Sequence, residues 1–174
     1  MVTVAGIDPG ASGGIAVNKS NSYVFVKKFS PKDFFRTTYH LFKSIHDMYK
    51  PDAWYLEQVQ GYIGQPHPGA TMFAFGQNYG ALEAFLVSLN CHYVKIAPNV
   101  WQRALQIKPR GLRETRWDFK KRLARYAHEL FPNVRFTNDL ADAMLITHLG
   151  YLLQTNQVTL SAKKVTKKRL LPYV

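Results

Sequence analysis

Apolar residues along this chain fall into short runs typical of strands and longer stretches with helical spacing. Three short runs come first and predict strands at residues 2–8, 15–18 and 23–29. Two later runs, 53–59 and 92–96, predict a fourth and a fifth strand. The connections between the first three runs are too short for crossovers, so we expect those strands to form an antiparallel meander.

Helical spacing of apolar residues predicts the elements between and after the strands. The segments expected to be helical are 31–50, 70–89, 98–105, 113–131 and 139–154. Ser30 and Pro31 suit the N-cap and the first position of the first helix. The fourth and fifth strands each follow a helix and should run parallel to the first strand. The pattern therefore predicts an α/β domain: a five-stranded mixed sheet, three strands antiparallel and two parallel, flanked by helices.

Length and composition limit the class of protein. The 174 residues suit one domain, expected at 1–155, followed by a basic tail at 156–174 that we expect to be mobile. The only cysteine, Cys91, excludes an intrachain disulfide and a zinc site built from cysteines. No apolar stretch approaches 18 residues, so we expect no membrane span and a soluble, cytoplasmic protein.

The positive charge of the chain is concentrated in two segments. The formal net charge is +12, and residues 108–125 with residues 163–169 carry +11 of it. The basic side chains of the first segment are Lys108, Arg110, Arg113, Arg116, Lys120, Lys121, Arg122 and Arg125. A localised positive field indicates a polyanionic partner. Nucleic acid is the favoured interpretation, ahead of a solvated charged face or an anionic membrane surface.

Four acidic residues stand at positions where a fold of this kind would bring them together. Asp8 and Glu57 end the first and fourth strands, and the carboxyl ends of parallel strands share one sheet edge. Asp139 and Asp142 open the last helix three positions apart, so both should project to one side. Carboxylate oxygens suit Mg²⁺, with Mn²⁺ as a substitute. The alternative for each is structural: Asp8 as part of an Asp-Pro-Gly turn, and the later pair as helix-capping residues.

Several segments together resemble a known family. They are Ile7-Asp8-Pro9-Gly10 followed by Ser12-Gly13-Gly14-Ile15-Ala16, then Leu56-Glu57, Gly76-Gln77-Asn78-Tyr79-Gly80-Ala81 and Asp139-Leu140-Ala141-Asp142-Ala143. In order and spacing this set resembles the RuvC-type Holliday junction resolvases of the ribonuclease H-like superfamily. The resemblance covers residues 1–155 and is nearest to the phage and viral branch.

The resemblance implies a function and a site. It implies a homodimer that binds four-way DNA junctions and nicks two strands of like polarity symmetrically, with divalent metal and water as the nucleophile. Asp8, Glu57, Asp139 and Asp142 match the positions of the family's catalytic, metal-binding carboxylates. A phage-encoded enzyme of this kind would act in the cytoplasm of its host cell.

The chain also departs from the cellular members of that family. Val100-Trp101-Gln102 stands where those enzymes have Val-Lys-Gln, and Arg116 is our candidate to replace a second lysine. The cellular proteins place an aromatic wedge after the catalytic glutamate, where Tyr62 is the nearest candidate here, followed by Phe73 and Phe75. The residues expected to contact DNA are Tyr62, Lys108, Arg110, Arg113, Arg116, Lys120 and Lys121.

Two other function classes remain open from the sequence. One is a non-catalytic architectural protein that binds branched DNA and uses its carboxylates only in turns and caps. The other is an ATP-handling enzyme of the actin or sugar-kinase type, which is disfavoured because 174 residues cannot hold its two lobes. His67 and His148 could approach the acidic site, and Trp101 and Trp117 are expected to pack in the core or on the DNA backbone.

Overall fold

The computed structural model describes residues 1–59 and 69–160, which form one five-stranded sheet with helices on both faces. The strands are β1 (Thr3–Asp8), β2 (Gly14–Lys19), β3 (Ser22–Lys28), β4 (Ala53–Glu57) and β5 (Tyr93–Ile96). The helices are α1 (Phe34–Tyr49), α2 (Gly69–Ser88), α3 (Pro98–Ala104), α4 (Arg116–Leu130) and α5 (Ala141–Gln154). The predicted order of elements is confirmed.

The strand order β3-β2-β1-β4-β5 confirms the mixed sheet. β1 and β3 each pair with β2 in antiparallel fashion, whereas β4 lies parallel to both β1 and β5. Ile7 of β1 lies opposite Leu56 of β4, one residue before each strand ends. The last residues of the two strands therefore emerge side by side at the carboxyl edge.

The two faces of the sheet carry two separate apolar cores. One core packs the sheet against α1 and α2, and it includes Ala5, Ile7, Ile15, Val17, Phe42, Ile45, Trp54, Leu56, Leu82 and Leu86. The other packs it against α3, α4 and α5, and it includes Val4, Tyr55, Trp101, Leu105, Leu123, Ala127, Leu145, Ile146 and Leu149. Successive strand residues point to opposite faces, so Val4 and Ala5 enter different cores.

Close approach of α5 to the sheet depends on a glycine in the central strand. A Cβ placed on Gly6 would lie 2.2 Å from Thr147 Oγ1 and 2.5 Å from the Thr147 backbone nitrogen. Thr147 is fully buried and donates its hydroxyl to the Ala143 carbonyl at 2.6 Å. Only glycine lets β1 and α5 come this close, and that contact brings the first turn of α5 up to the end of β1.

Several element ends differ from the sequence prediction. The first helix begins at Phe34 rather than Pro31, because Asp33 takes a left-handed conformation (φ 50°) and interrupts the helical path; Ser30 is therefore not its cap. α4 begins at Arg116, where Thr115 accepts a hydrogen bond from the Asp118 N–H and caps the helix.

The last helix also starts later than predicted. Residues Asn138–Leu140 form a short 3-10 turn, and α5 proper begins at Ala141. Asp139 is therefore in the turn and Asp142 in the helix. The prediction that both stand on one continuous helix was wrong.

Some predictions concern residues outside those described. Tyr62 and His67 lie in one such segment, and residues 161–174, with the five basic residues of the tail, lie in the other. The boundary at residue 155 stays a prediction. Among the helices that the structure describes, none is both long enough and apolar enough to cross a membrane.

Candidate metal centre and nucleic-acid interface

Asp8 is fixed at the end of β1 by the turn that follows it. The Gly10 N–H donates to Asp8 Oδ1 at 2.9 Å, and the Gly13 N–H donates to the Gly10 carbonyl at 2.8 Å. A Cβ on Gly13 would lie 2.1 Å from the Asp8 carbonyl oxygen, so the turn can wrap this tightly only with glycine there. Asp8 is 6% exposed and lies on the same side of β1 as Val4 and Gly6, facing α5.

Glu57 ends the neighbouring strand and is held by a buried tryptophan. The indole Nε1–H of Trp101 donates to Glu57 Oε1 at 2.9 Å. Trp101, on α3, is fully buried in the core shared with α4 and α5. The strand alternation that puts Tyr55 in that core puts Glu57 on the same face, beside Asp8. Trp101 thus orients a carboxylate at the edge of the sheet.

The last helix supplies one buried carboxylate, and the turn before it supplies an exposed one. Asp142 is 5% exposed, and its Oδ2 accepts a hydrogen bond from the Lys120 ammonium of α4. Asp139 Oδ2 lies 2.7 Å from Lys28 Nζ, and its side chain is 48% exposed. Asp142 therefore belongs to the buried site, whereas Asp139 lies at its rim.

The electrostatics show that these carboxylates interact with one another. Burial, reinforced by the nearby Asp142, raises the pKa of Asp8 to about 6 against the opposing attraction of Lys120. Burial, together with Asp8 and Asp142, raises the pKa of Glu57 to about 8, although the Trp101 hydrogen bond opposes the shift. Burial alone would lower the pKa of Lys120, but the carboxylates of Asp142, Asp8 and Glu57 raise it above its ordinary value.

The site has more negative than positive charge and so favours a cation. Three carboxyl groups (Asp8, Glu57 and Asp142) surround the one ammonium of Lys120, and the raised pKa values of Asp8 and Glu57 reflect the cost of burying negative charge that this ammonium does not fully compensate. Their oxygens are the hard ligands that Mg²⁺ and Mn²⁺ prefer, so the donor chemistry fits these metals. Within residues 1–59 and 69–160, no three acidic, histidine or cysteine side chains already have the spacing of a formed metal centre. Completing a coordination sphere here requires side-chain rotation, since Lys120 and Trp101 hold two of the carboxylates.

The basic segment lies on the surface next to this site. Lys108, Arg110, Arg113, Arg116 and Lys121 are exposed. In the described part of the chain, none of these five forms an ion pair with a carboxylate. These five side chains, which the sequence analysis assigns to DNA contact, are therefore available to bind an anionic partner.

Two cations of the basic segment are paired with carboxylates of the chain. Arg122 pairs with Glu114 at 2.9 Å and donates to the carbonyls of Lys108 and Pro109, which fixes the loop between α3 and α4. Lys120, predicted to contact DNA phosphates, pairs with Asp142 in the acidic site. Its position in α4 carries a signal that sequence reasoning missed: it precedes the buried Leu123, Ala124 and Ala127 at helical spacing.

In the described part of the chain, neither His148 nor Trp117 forms a hydrogen bond or ion pair with the acidic cluster, and His67 lies outside the described residues. His148 packs against the ring of Phe131 at 5.2 Å, and burial lowers the pKa of its imidazole. Trp117, expected in the core or on the DNA backbone, is 63% exposed at the start of α4. No sequence signal pointed to the Trp101–Glu57 contact, which joins residues 44 positions apart.

The strand order and the helices on both faces define the ribonuclease H-like fold, and solved structures share it. The structure of Thermus thermophilus RuvC aligns with a TM-score of 0.64 and 17% identity, covering 91% of this chain and 99% of that one. T. thermophilus RuvC in complex with its Holliday junction substrate aligns with a TM-score of 0.65 over the same shares, also at 17% identity. No protein-family model and no curated protein matches the chain. The predicted RuvC-type fold is confirmed, and its viral branch stays a prediction.

Proposed function

We propose that this chain is a divalent-metal-dependent, structure-selective DNA endonuclease that resolves four-way junctions by paired, symmetric nicks. The observation that carries the proposal is the meeting of Asp8, Glu57 and Asp142 at one edge of the sheet, next to an exposed basic surface. An acidic site beside a basic surface suits hydrolysis of a polyanion, because carboxylates bind the cation while basic side chains bind the flanking phosphates. The likeness in fold to a RuvC bound to a Holliday junction supports the choice of substrate.

Each residue of the site has a distinct role in this proposal. Asp8, Glu57 and Asp142, with Asp139 at the rim, would hold the cation. Bound there, Mg²⁺ or Mn²⁺ supplies a Lewis acid for the phosphodiester and lowers the pKa of an attacking water. Trp101 keeps Glu57 oriented toward the site. Lys120 limits the repulsion among the buried carboxylates before a cation binds.

The proposed DNA contacts are of two kinds. Lys108, Arg110, Arg113, Arg116 and Lys121 would bind phosphates, which gives affinity and register without reading sequence. The wedge role of Tyr62 rests on the family resemblance alone, since that residue lies outside those described.

We further propose that two copies associate through α2. This 20-residue helix has one charged residue, Glu83, and only Ala81, Leu82 and Leu86 are buried within the chain. Phe73 is 68% exposed, and no other described element lies within 4 Å of a Cβ placed on Gly76 or Gly80. Glycines four positions apart on a helix allow another backbone to approach closely, and because no described element of the chain does so here, a second α2 would supply that contact.

The dimer is tested by changing the exposed phenylalanine of α2. Phe73→Lys should weaken dimerisation at least tenfold in sedimentation equilibrium, because a charge would be buried between the helices. Phe35→Lys is the matched control: Phe35 is also exposed, at 51%, but lies on α1. Equal dimerisation by Phe73→Lys and the wild type would contradict an α2 interface.

The nuclease itself is tested on three labelled substrates: a synthetic four-way junction, a replication fork and a linear duplex, each with and without Mg²⁺. The proposal predicts paired nicks, symmetric across the junction, only when Mg²⁺ is present. Equal cutting of all three substrates would indicate a general nuclease. Binding without any cleavage, in Mg²⁺ and in Mn²⁺, would contradict the enzymatic proposal.

One observation favours a second candidate, a non-catalytic protein that binds branched DNA. The ion pairs Lys120–Asp142 and Lys28–Asp139 give two of the four acids a structural partner. On this alternative, Asp8→Asn would leave every DNA-dependent property unchanged, whereas the nuclease proposal predicts that it removes cleavage and retains binding.

A further inference from the structure

One aromatic side chain lies exposed on the basic surface and belongs to no core. The chain has three tryptophans, of which Trp54 and Trp101 are fully buried while Trp117 is 63% exposed. Trp117 takes no part in the three apolar clusters of the described residues. It also does not cap α4, since Thr115 and Asp118 make that contact. This large ring therefore contributes to no apolar core among the described residues.

The position of Trp117 links it to the acidic site. It lies on the first turn of α4, three residues before Lys120, and side chains three apart on a helix are neighbours about 5–6 Å apart at Cβ. Lys120 in turn contacts Asp142. The exposed indole thus lies about one helical turn from the lysine whose ammonium reaches into the acidic site.

The surroundings of Trp117 favour an anionic strand that offers flat rings. Lys121 Nζ lies 5.0 Å from the centre of the indole ring, and Arg113 and Arg116 are exposed on either side of the helix start. A protein partner with an apolar surface would have to bury these cations, which form no ion pair with a carboxylate in the described part of the chain, at a high cost in free energy. Nucleic acid satisfies both features, since its phosphates pair with the cations and its bases stack on the aromatic ring.

We propose that Trp117 is a base-stacking residue, and that its indole packs on an unstacked nucleobase of bound branched DNA next to the acidic site. Lys121, Arg113 and Arg116 bind the phosphates flanking that base. This inference rests on the proposed function for its ligand, although it concerns binding and not cleavage. The site would hold one base at a branch point, where the duplex is already distorted.

The test measures binding of a four-way junction without Mg²⁺ by fluorescence anisotropy. Trp117→Ala should raise Kd by about 5- to 150-fold, the range for loss of one base–aromatic stack. Trp117→Phe should recover most of the affinity because it keeps an aromatic face. The dependence of Kd on salt should keep its slope in both variants, whereas Arg116→Gln should reduce the slope by about one, because only that change removes a phosphate contact. Leu130→Ala, a partly exposed apolar residue at the far end of α4, is the matched control and should bind as the wild type.

Tryptophan emission gives an independent readout. Junction binding should quench wild-type emission, and most of that quenching should disappear in Trp117→Ala, since the other two tryptophans are buried. Wild-type affinity and unchanged quenching in Trp117→Ala would overturn the inference while leaving the nuclease proposal intact. A loss of dimerisation in that variant would also overturn it, by showing that the ring packs on a second copy. Failure of the wild-type protein to bind the junction at all would instead refute the proposed function.

Discussion

The two faces of this sheet contrast in what they bury. The face under α1 and α2 is closed by rings and aliphatic side chains, with Phe42 stacked on Trp54 at 5.4 Å between ring centres. The face under α4 and α5 has an apolar core of similar extent, but at its carboxyl edge it also buries Asp8 and Asp142. Both faces use the same strands, so strand alternation alone decides which residues go where. The contrast teaches that both faces of the sheet contribute apolar packing, whereas the candidate chemistry is confined to one of them.

The largest expected effect is a loss of cleavage on substitution of an acidic residue at the carboxyl edge of the sheet. Asp8→Asn should lower cleavage of a four-way junction by about 10³-fold, since loss of a metal ligand removes several kcal/mol of charge stabilisation in the transition state. Its Kd for the junction should stay within about twofold of the wild type, because phosphate contacts supply the affinity. The free energy of unfolding should not fall, since the change removes a buried charge that Asp142 repels. Gel assays and urea denaturation measure these quantities, and full cleavage by the variant would refute the assignment of Asp8.

A substitution in the core under α1 and α2 should have the reverse effect, a loss of stability without a loss of cleavage. Phe42→Ala should lower the free energy of unfolding by about 3–5 kcal/mol, because it leaves a cavity beside Trp54 in a fully buried core. At a temperature where the variant is still folded, its cleavage of junctions in Mg²⁺ should remain near that of the wild type. Denaturation by urea, followed by circular dichroism, gives the first quantity. A selective loss of cleavage in the folded variant would show that the two faces are coupled.

A smaller effect is expected at the amine that neutralises the acidic site. Lys120→Gln should lower the free energy of unfolding by about 1–2 kcal/mol, less than for a fully buried pair because the Lys120 side chain is 41% exposed. Mg²⁺ should then raise the Tm of the variant more than that of the wild type, because a bound cation replaces the missing charge. Lys43→Gln breaks the exposed pair with Asp47 on α1 and is the matched control. Equal Mg²⁺ responses in all three proteins would count against a cation at this site.

The smallest effect is expected at the start of α4, which carries part of the basic surface. Thr115→Ala should lower the free energy of unfolding by about 1 kcal/mol, because the Asp118 N–H loses its acceptor at 3.1 Å. Thr137→Ala is the control, since Thr137 precedes the 3-10 turn without a side-chain capping bond. Equal destabilisation by the two substitutions, measured by thermal denaturation, would contradict the capping role of Thr115.

Much of the fold, and part of the candidate site, could be predicted from the sequence. The apolar runs gave the order of strands and helices, and the short connections identified the antiparallel half of the sheet. The position of Glu57 beside Asp8 followed from two parallel strands that both end in an acid. These features are local, or depend only on strand direction, so periodicity is enough to find them.

The features of the site that the sequence did not predict depend on contacts between residues far apart in the chain. Lys120 pairs with Asp142 across 22 positions, and Trp101 holds Glu57 across 44. Neither contact follows from the spacing of residues along the chain. The position of Lys120, one helical turn before the buried Leu123 and Ala124, nevertheless indicated that this lysine lies on the inner face of α4. The late start of α1 depends on a left-handed Asp33, which propensity did not predict.

The most direct test of the central claim is anomalous diffraction from crystals of the protein soaked in Mn²⁺. The account predicts an anomalous peak at the carboxyl edge of the sheet, with oxygens of Asp8 and of Glu57 or Asp142 about 2.0–2.2 Å from the metal. The same soak of Asp8→Asn should leave that position empty or weakly occupied. A wild-type crystal that takes up Mn²⁺ only elsewhere, with Lys120 still on Asp142, would contradict the claim that these carboxylates form a metal centre.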